Sequence, residues 1–346
     1  MKTCLMTLLG LAAFGASAVP APYTHQNFLD DPDEFRFAIV PDRTGGDYRG
    51  AFTNTLEKLN LLRPEFVMSV GDLIKGGGAY RLDAQHCELT NMLSRVVPPF
   101  YCIVGNHDIA RSELPLFPRI NEESKAIWQK YYGPRTYYSF VYKNVLFVCL
   151  DTMDNRVLNA RDCGVTKAQY AWFRKTLEEN PDVRWTFVFM HQPGIWSKPD
   201  WIEFEEKVLK ERKYTVFAGD WHCYLHAKRH GHDYYVLSVA GGTSAVHTYD
   251  SQWRPVLKGP EYGEMDHITW VTMTKQGPVV ANILVDGILR GDYLNQRNTK
   301  SNAFNKPIDY PPDPALLPEL ERRQHERDAD VKAMKAASRA RRAVKK

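Results

Sequence analysis

Residues 100–108 read Phe-Tyr-Cys-Ile-Val-Gly-Asn-His-Asp, a five-residue apolar run that passes directly into Gly105-Asn106-His107-Asp108. Aromatic and β-branched residues suit a strand, and the glycine ends it, so an amide, an imidazole and a carboxylate follow at its carboxyl end. Working upstream, Phe66–Val70 is a second such run and ends at Gly71-Asp72, while Phe35–Val40 ends at Pro41-Asp42. Between them lie Ala51–Leu62, apolar at helical spacing and closed by Pro64, and Leu82–Val97, stopped by Pro98-Pro99. Asp42, Asp72 and Asn106 thus stand 30 and 34 residues apart, one strand-helix-strand unit each. Strands joined in this way run parallel, so the three residues emerge on one edge of the sheet, where ligands bind in such folds.

The same grammar continues downstream. Tyr137–Tyr142 and Val145–Leu150 flank Lys143-Asn144 and predict a hairpin. Thr166 is placed to cap a helix over Lys167–Leu177. Trp185–Met190 runs into His191, and Tyr214–Ala218 runs into Gly219-Asp220 with His222 two residues further on. Tyr234–Ala240, Ile268–Thr274 and Val279–Val285 follow with no helix between them, which predicts a second sheet. A strand-end Asp or Asn taken singly is as readily a turn former or cap. Taken together, three carboxylates, one amide and two imidazoles at strand ends form an oxygen-and-nitrogen set suited to a divalent cation.

Gly71-Asp72, Gly105-Asn106-His107-Asp108, His191 and Gly219-Asp220-Trp221-His222, in that order after those strands, resemble the calcineurin-like metallophosphoesterase superfamily, over residues 34–290. The resemblance implies a four-layer αββα fold, two packed mixed sheets flanked by helices. It implies hydrolysis of a small-molecule phosphomonoester or phosphodiester with one or two divalent ions, drawn from Mn, Fe, Mg and Zn. In that scheme Asp72 bridges two cations, Asp42 and His222 complete one, and Asn106, His191 and Asp220 complete the other. His107 faces the substrate as general acid or phosphate contact, and Asp72 joins it in the catalytic group.

Three departures mark the chain as a divergent member. The family's Asp-x-His is Asp42-Arg43-Thr44 here, with a neutral hydroxyl in place of an imidazole. Its Gly-His-x-His is Gly219-Asp220-Trp221-His222, which adds charge and favours Mn²⁺, Mg²⁺ or Fe over Zn²⁺. The acid often found three residues after Gly-Asp is replaced by Lys75, which with Arg43 is placed to meet substrate phosphate alongside Asn106 and His107. These departures keep a second reading open, that of a metal- or ligand-binding relative with weakened turnover.

The 346 residues are 44% hydrophobic and 25% charged, ordinary for a folded globular chain. The net charge of +4 belongs to the end of the chain: residues 319–346 hold ten Lys/Arg and five Asp/Glu. The remainder is close to neutral and offers no electrostatic case for nucleic acid. Residues 291–346 read as a polar, Pro-rich linker and a basic helical tail, a solvated helix or a contact for an anionic surface. Met1–Ala18 has the charged start, apolar middle and Ala16-Ser17-Ala18 end of a signal peptide, followed by a linker over 19–33. This predicts a secreted or periplasmic protein, since the apolar run is too short for a bilayer core of roughly 30 Å. Cys102 and Cys149 fall inside strand runs as buried free thiols, while Cys87, Cys163 and Cys223 leave one bridge open.

Overall fold

A computed structural model describes residues 31–44, 50–76, 79–109, 119–154, 163–242 and 265–288. The signal-peptide segment, most of the linker after it and the C-terminal tail lie outside the described residues.

The first sheet is built by β1 (Phe35–Val40), β2 (Phe66–Ser69), β3 (Phe100–Tyr101), β10 (His267–Met273) and β11 (Pro278–Leu284), in the order β11-β10-β1-β2-β3. Strands β1, β2 and β3 are parallel, because α1 (Ala51–Leu62) and α2 (Ala79–Leu93) return the chain between them. The second sheet has the order β4-β5-β6-β7-β9-β8. It comprises β4 (Tyr138–Tyr142), β5 (Val145–Cys149), β6 (Trp185–Phe189), β7 (Tyr214–Ala218), β8 (Leu225–Arg229) and β9 (His232–Val236). Its four central strands are parallel and its two edges antiparallel. Lys143 and Asn144 both take positive φ at the β4–β5 turn, the type that matches the twist of a tight hairpin.

Alternation along the strands explains the layering. On β1, Phe35, Phe37 and Ile39 point between the sheets, where they meet Phe66, Met68, Phe147, Phe187, Phe189 and Phe217. The opposite residues, Ala38 and Val40, pack with Phe52, Leu56 and Leu59 of α1 and Leu82 and Leu89 of α2. On the far side Val188, Val216 and Val236 face Phe173 and Leu177 of α4 (Lys167–Glu178) and Trp201 and Phe204 of α5 (Pro199–Phe204). Helix, sheet, sheet, helix is therefore the order of the layers, with α3 (Arg119–Tyr132) adding Trp128 to the first helical layer. The parallel strands β1, β2, β5, β6 and β7 are buried on both faces, whereas the edge strands β4, β8 and β11 keep exposed positions. Thr166 caps α4, its hydroxyl accepting from Gln169 N at 3.2 Å.

The three late runs do not form one sheet. β9 extends the second sheet by pairing in parallel with β7, whereas β10 crosses back to pair antiparallel with β1 and carries β11 with it. Strand β3 is also shorter than its apolar run, since after Tyr101 the chain turns into the site. Cys87, Cys102, Cys149, Cys163 and Cys223 are all free thiols. Among the described residues no helix is long and apolar enough to cross a membrane.

Candidate metal centre

Asp42 follows β1, Asp72 follows β2, Asn106 lies beyond β3, His191 follows β6, and Asp220 and His222 follow β7. Five parallel strands from two sheets thus deliver six polar side chains to one rim. The sheets are tied there by His191, whose Nδ1 donates to the Val70 carbonyl across the layer boundary at 2.7 Å. That bond fixes the ring and leaves Nε2 facing inward. Three oxygens crowd it: Asn106 Oδ1 at 2.9 Å, Asp72 Oδ1 at 3.3 Å and Asp220 Oδ1 at 3.5 Å. On the other side of Asp72, His222 Nε2 lies 3.3 Å from Asp42 Oδ2, which also accepts from Asp220 N at 2.8 Å. Ligand atoms of Asp42, Asp72 and His191 all fall within 4.8 Å of one another.

The backbone is bent to permit this. Asp72, Asp220 and His222 have φ of 55°, 66° and 52°, the left-handed region that costs an ordinary residue on the order of 1–3 kcal/mol. Glycines make room for the carboxylates. A Cβ on Gly105 would lie 2.2 Å from Asp72 Oδ1, and one on Gly219 would lie 2.2 Å from Asp42 Oδ1. Asp108 holds the turns from behind. Its carboxylate accepts from the amides of Asp72 (2.8 Å), Gly105 (2.8 Å), Leu73 (3.0 Å) and Ile74 (3.2 Å).

Charge balance shows what the site is built to receive. Burial raises Asp42 above the usual carboxylate range, and burial together with the nearby Asp72 pushes Asp108 up to about 6. Asp72 is buried too, but His191 and His107 outweigh that and hold it at about 2. His191 is buried as well; Asp72 and Asp42 overcome this and keep its ring protonated well above its ordinary range. One imidazolium is thus the main counter-charge to three carboxylates, and Asp42 Oδ1 is buried without a hydrogen-bond partner. Buried anions this close need a further cation or a proton, and the O/N donor set fits a divalent metal ion.

The remaining candidates are placed differently. His107 is partly exposed at 21% of its side chain, with its backbone N donating to Asp72 Oδ1 at 2.7 Å. Its Nδ1 donates to the Lys75 carbonyl at 2.9 Å, and its Nε2 is 3.8 Å from Asp72 Oδ2. Lys75 therefore orients the imidazole through its backbone, the task that an acidic side chain at this position would otherwise perform. Arg43 donates to the Leu73 carbonyl at 3.2 Å, faces Glu88 at 3.7 Å and lies over the Phe52 ring. Its guanidinium is engaged with α1 and α2. Trp196 and Trp201 belong to the core under α5, His267 is fully buried, and Trp221 stands 44% exposed at the rim. No role was read for Asp108 in the sequence, although it closes the Gly105-Asn106-His107-Asp108 stretch that carries the resemblance.

The chain belongs to the calcineurin-like phosphoesterase family, whose model matches residues 25–236. It is a metallophosphoesterase, a hydrolase of phosphoric ester bonds that uses divalent metal. Among solved structures it is similar to a purple acid phosphatase from yellow lupin (Lupinus luteus) seeds, with a TM-score of 0.53 and 14% identity over 74% of this chain and 52% of that one. It is also similar to GAP50, the anchor in the inner membrane complex of Plasmodium, with a TM-score of 0.50 and 14% identity over 73% of this chain and 85% of that one. A dimetal phosphatase from Danio rerio aligns at 17% identity over 72% of this chain and 98% of its own, with a TM-score of 0.46. At these identities the likeness is one of fold. No curated protein matches the sequence at a significant level.

Proposed function

We propose that this protein hydrolyses a small-molecule phosphomonoester or phosphodiester, with cations held by Asp42, Asp72, Asn106, His191, Asp220 and His222 and with His107 acting on the substrate. A divalent cation bound there supplies the Lewis acidity that turns water into a nucleophile near neutral pH and neutralises phosphoryl oxygens. The single observation that carries the reading is the convergence of Asn106, Asp72 and Asp220 oxygens on His191 Nε2, with Asp42 and His222 alongside.

The protein's own groups set the geometry. Asp72 receives the His107 amide on Oδ1 and so couples the position of that loop to the metal centre. With Nδ1 committed to the Lys75 carbonyl, His107 presents Nε2 as its acting nitrogen, on the accessible side of the site. There it donates a hydrogen bond to a phosphoryl oxygen or a proton to the departing alkoxide, a task suited to an imidazole. Asp108 keeps the amides of 72–74 and 105 in place, so the ligands do not have to be ordered when substrate arrives.

The test is purification followed by metal analysis and a panel of phosphomonoesters and phosphodiesters with Mn²⁺ supplied. Bound divalent metal with turnover on one class supports the reading. Bound metal with a flat panel selects the binding-protein alternative, and absence of bound metal after Mn²⁺ loading refutes both.

A further inference from the structure

The two halves of the metal centre are unequally furnished. One half has four protein groups around a single point, Asn106, Asp72 and Asp220 oxygens at 2.9–3.5 Å from His191 Nε2. The other half has Asp42 and His222, with Asp72 shared. Two buried polar atoms of the Asp42–Thr44 segment are left over. Asp42 Oδ1 has no hydrogen-bond partner, and neither has the hydroxyl of Thr44, which is 1% exposed.

Thr44 is fixed where it stands. Its amide and that of Arg43 both donate to the Asp72 carbonyl, at 3.2 and 3.1 Å, so the Asp42–Thr44 segment is stitched to the loop that carries Asp72. The Asp42 carbonyl in turn accepts from Ala240 N at 2.8 Å. A hydroxyl buried without a partner costs about 1–3 kcal/mol. A valine would fill the same volume without that penalty, and a cation held beside Asp42 would give the oxygen a partner.

We infer that Thr44 Oγ1 and Asp42 Oδ1 together complete a second, weaker cation site with His222, and that the protein loads in two unequal steps. The inference rests on the metal-centre reading proposed above and deepens it. The first ion goes to Asp72, Asn106, His191 and Asp220. The second takes Asp42, His222 and Thr44, directly or through one water, and exchanges readily because a neutral hydroxyl is a poorer ligand than an imidazole. Hydroxyl and carboxylate donors suit Mn²⁺ or Mg²⁺ better than Zn²⁺. The second step is therefore the one that sets which metal activates the protein.

The experiment is a Mn²⁺ titration of metal-stripped protein, read as free Mn²⁺ by electron paramagnetic resonance and as ions per chain after dialysis. The wild type takes up two ions, the second at least about tenfold more weakly than the first. Thr44→Val lowers the second affinity about tenfold further and leaves the first unchanged, and Thr44→Ser restores it. In the absence of metal Thr44→Val melts at or above the wild-type temperature, since it removes an unpaired buried oxygen, which shows that the variant folds. Asp220→Asn weakens the first step instead. Two equal steps, or a second step indifferent to Thr44→Val, overturn this inference while leaving the metal centre intact. A wild type that binds no Mn²⁺ overturns it together with the functional reading.

Discussion

At Gly105 and Gly219 the demand for glycine comes from neighbouring carboxylates. A methyl group at Gly105 would stand 2.2 Å from Asp72 Oδ1 and 2.3 Å from Asp72 N, and one at Gly219 would stand 2.2 Å from Asp42 Oδ1. Neither carboxylate can yield without leaving the centre. Gly105→Ala and Gly219→Ala are each expected to keep far-UV circular dichroism while losing most bound metal, measured as ions per chain. Gly231 is the control: its φ is +80° but nothing lies within 4 Å of its would-be Cβ, so alanine there costs only about 1 kcal/mol of strain. Equal metal loss in all three variants would contradict the steric account. His107 and Lys75 make a second contrast. Because the Lys75 carbonyl survives substitution, Lys75→Ala keeps the imidazole oriented and retains kcat within a few-fold. His107→Ala retains metal but lowers kcat by roughly 10²–10⁴. If both variants lose kcat alike, orientation through the backbone is wrong.

Strand β7 shows how an element can carry the site at one end and be anchored at the other. Its carboxyl end delivers Asp220 and His222, while Tyr214 at its start joins a buried cluster around Glu205. Glu205 opens a wide helical turn closed by Lys210 N at 2.9 Å, and its carboxylate takes two contacts from Arg229 Nε and one from Nη2 at 2.6 Å, besides the Tyr234 hydroxyl. Removing one partner of a buried pair leaves the other uncompensated. Arg229→Ala is expected to lower unfolding free energy by about 3 kcal/mol in urea, with metal stoichiometry unchanged. A parallel loss of metal would show that β7 transmits the damage to its far end. Much at this scale is legible from sequence: β1, β2, β5, β6 and β7 are apolar runs cut off by Gly, Pro or a polar residue. Pairing is not. Tyr234–Val236 and Ile268–Met273 are equally apolar, yet one joins β7 and the other β1, because alternation states which face is buried and not which neighbour is taken. The convergence of Asp42, Asp72, Asn106, His191, Asp220 and His222 follows from strand ends alone. The Lys75 carbonyl and the amides gathered by Asp108 do not, since backbone groups are common to every residue.

Across the whole molecule, two histidines are sealed into the first layer of helix and sheet and act on its acid stability. His86 on α2 is fully buried; its Nε2 donates to the Asp108 carbonyl at 3.2 Å and its Nδ1 accepts from the Tyr132 hydroxyl at 3.1 Å. His267 at the start of β10 is also fully buried, with Nδ1 3.3 Å from the Met265 carbonyl and Nε2 without a partner. Burial lowers both to about 4, from an ordinary value of 6.5. A base depressed in the folded state contributes its full share of stability above 6.5 and loses it as pH falls toward 4, because the unfolded chain takes up the proton first. The loss is about 1.4 kcal/mol per group for each pH unit within that window. Between pH 6.5 and 5 Asp108, pushed up to about 6 by burial and the nearby Asp72, takes up its proton in the fold first and opposes this loss, so the share of one imidazole is read as the difference between wild type and a variant lacking it. His267→Phe removes one titrating group along with an unpaired nitrogen. Metal-stripped wild type and variant, compared by urea unfolding at half-unit steps of pH, should therefore diverge as pH falls, with the variant losing roughly 1–2 kcal/mol less over the interval. Identical slopes would mean that His267 is not held neutral in the fold, and the packing around β10 that seals it would have to open at mildly acidic pH.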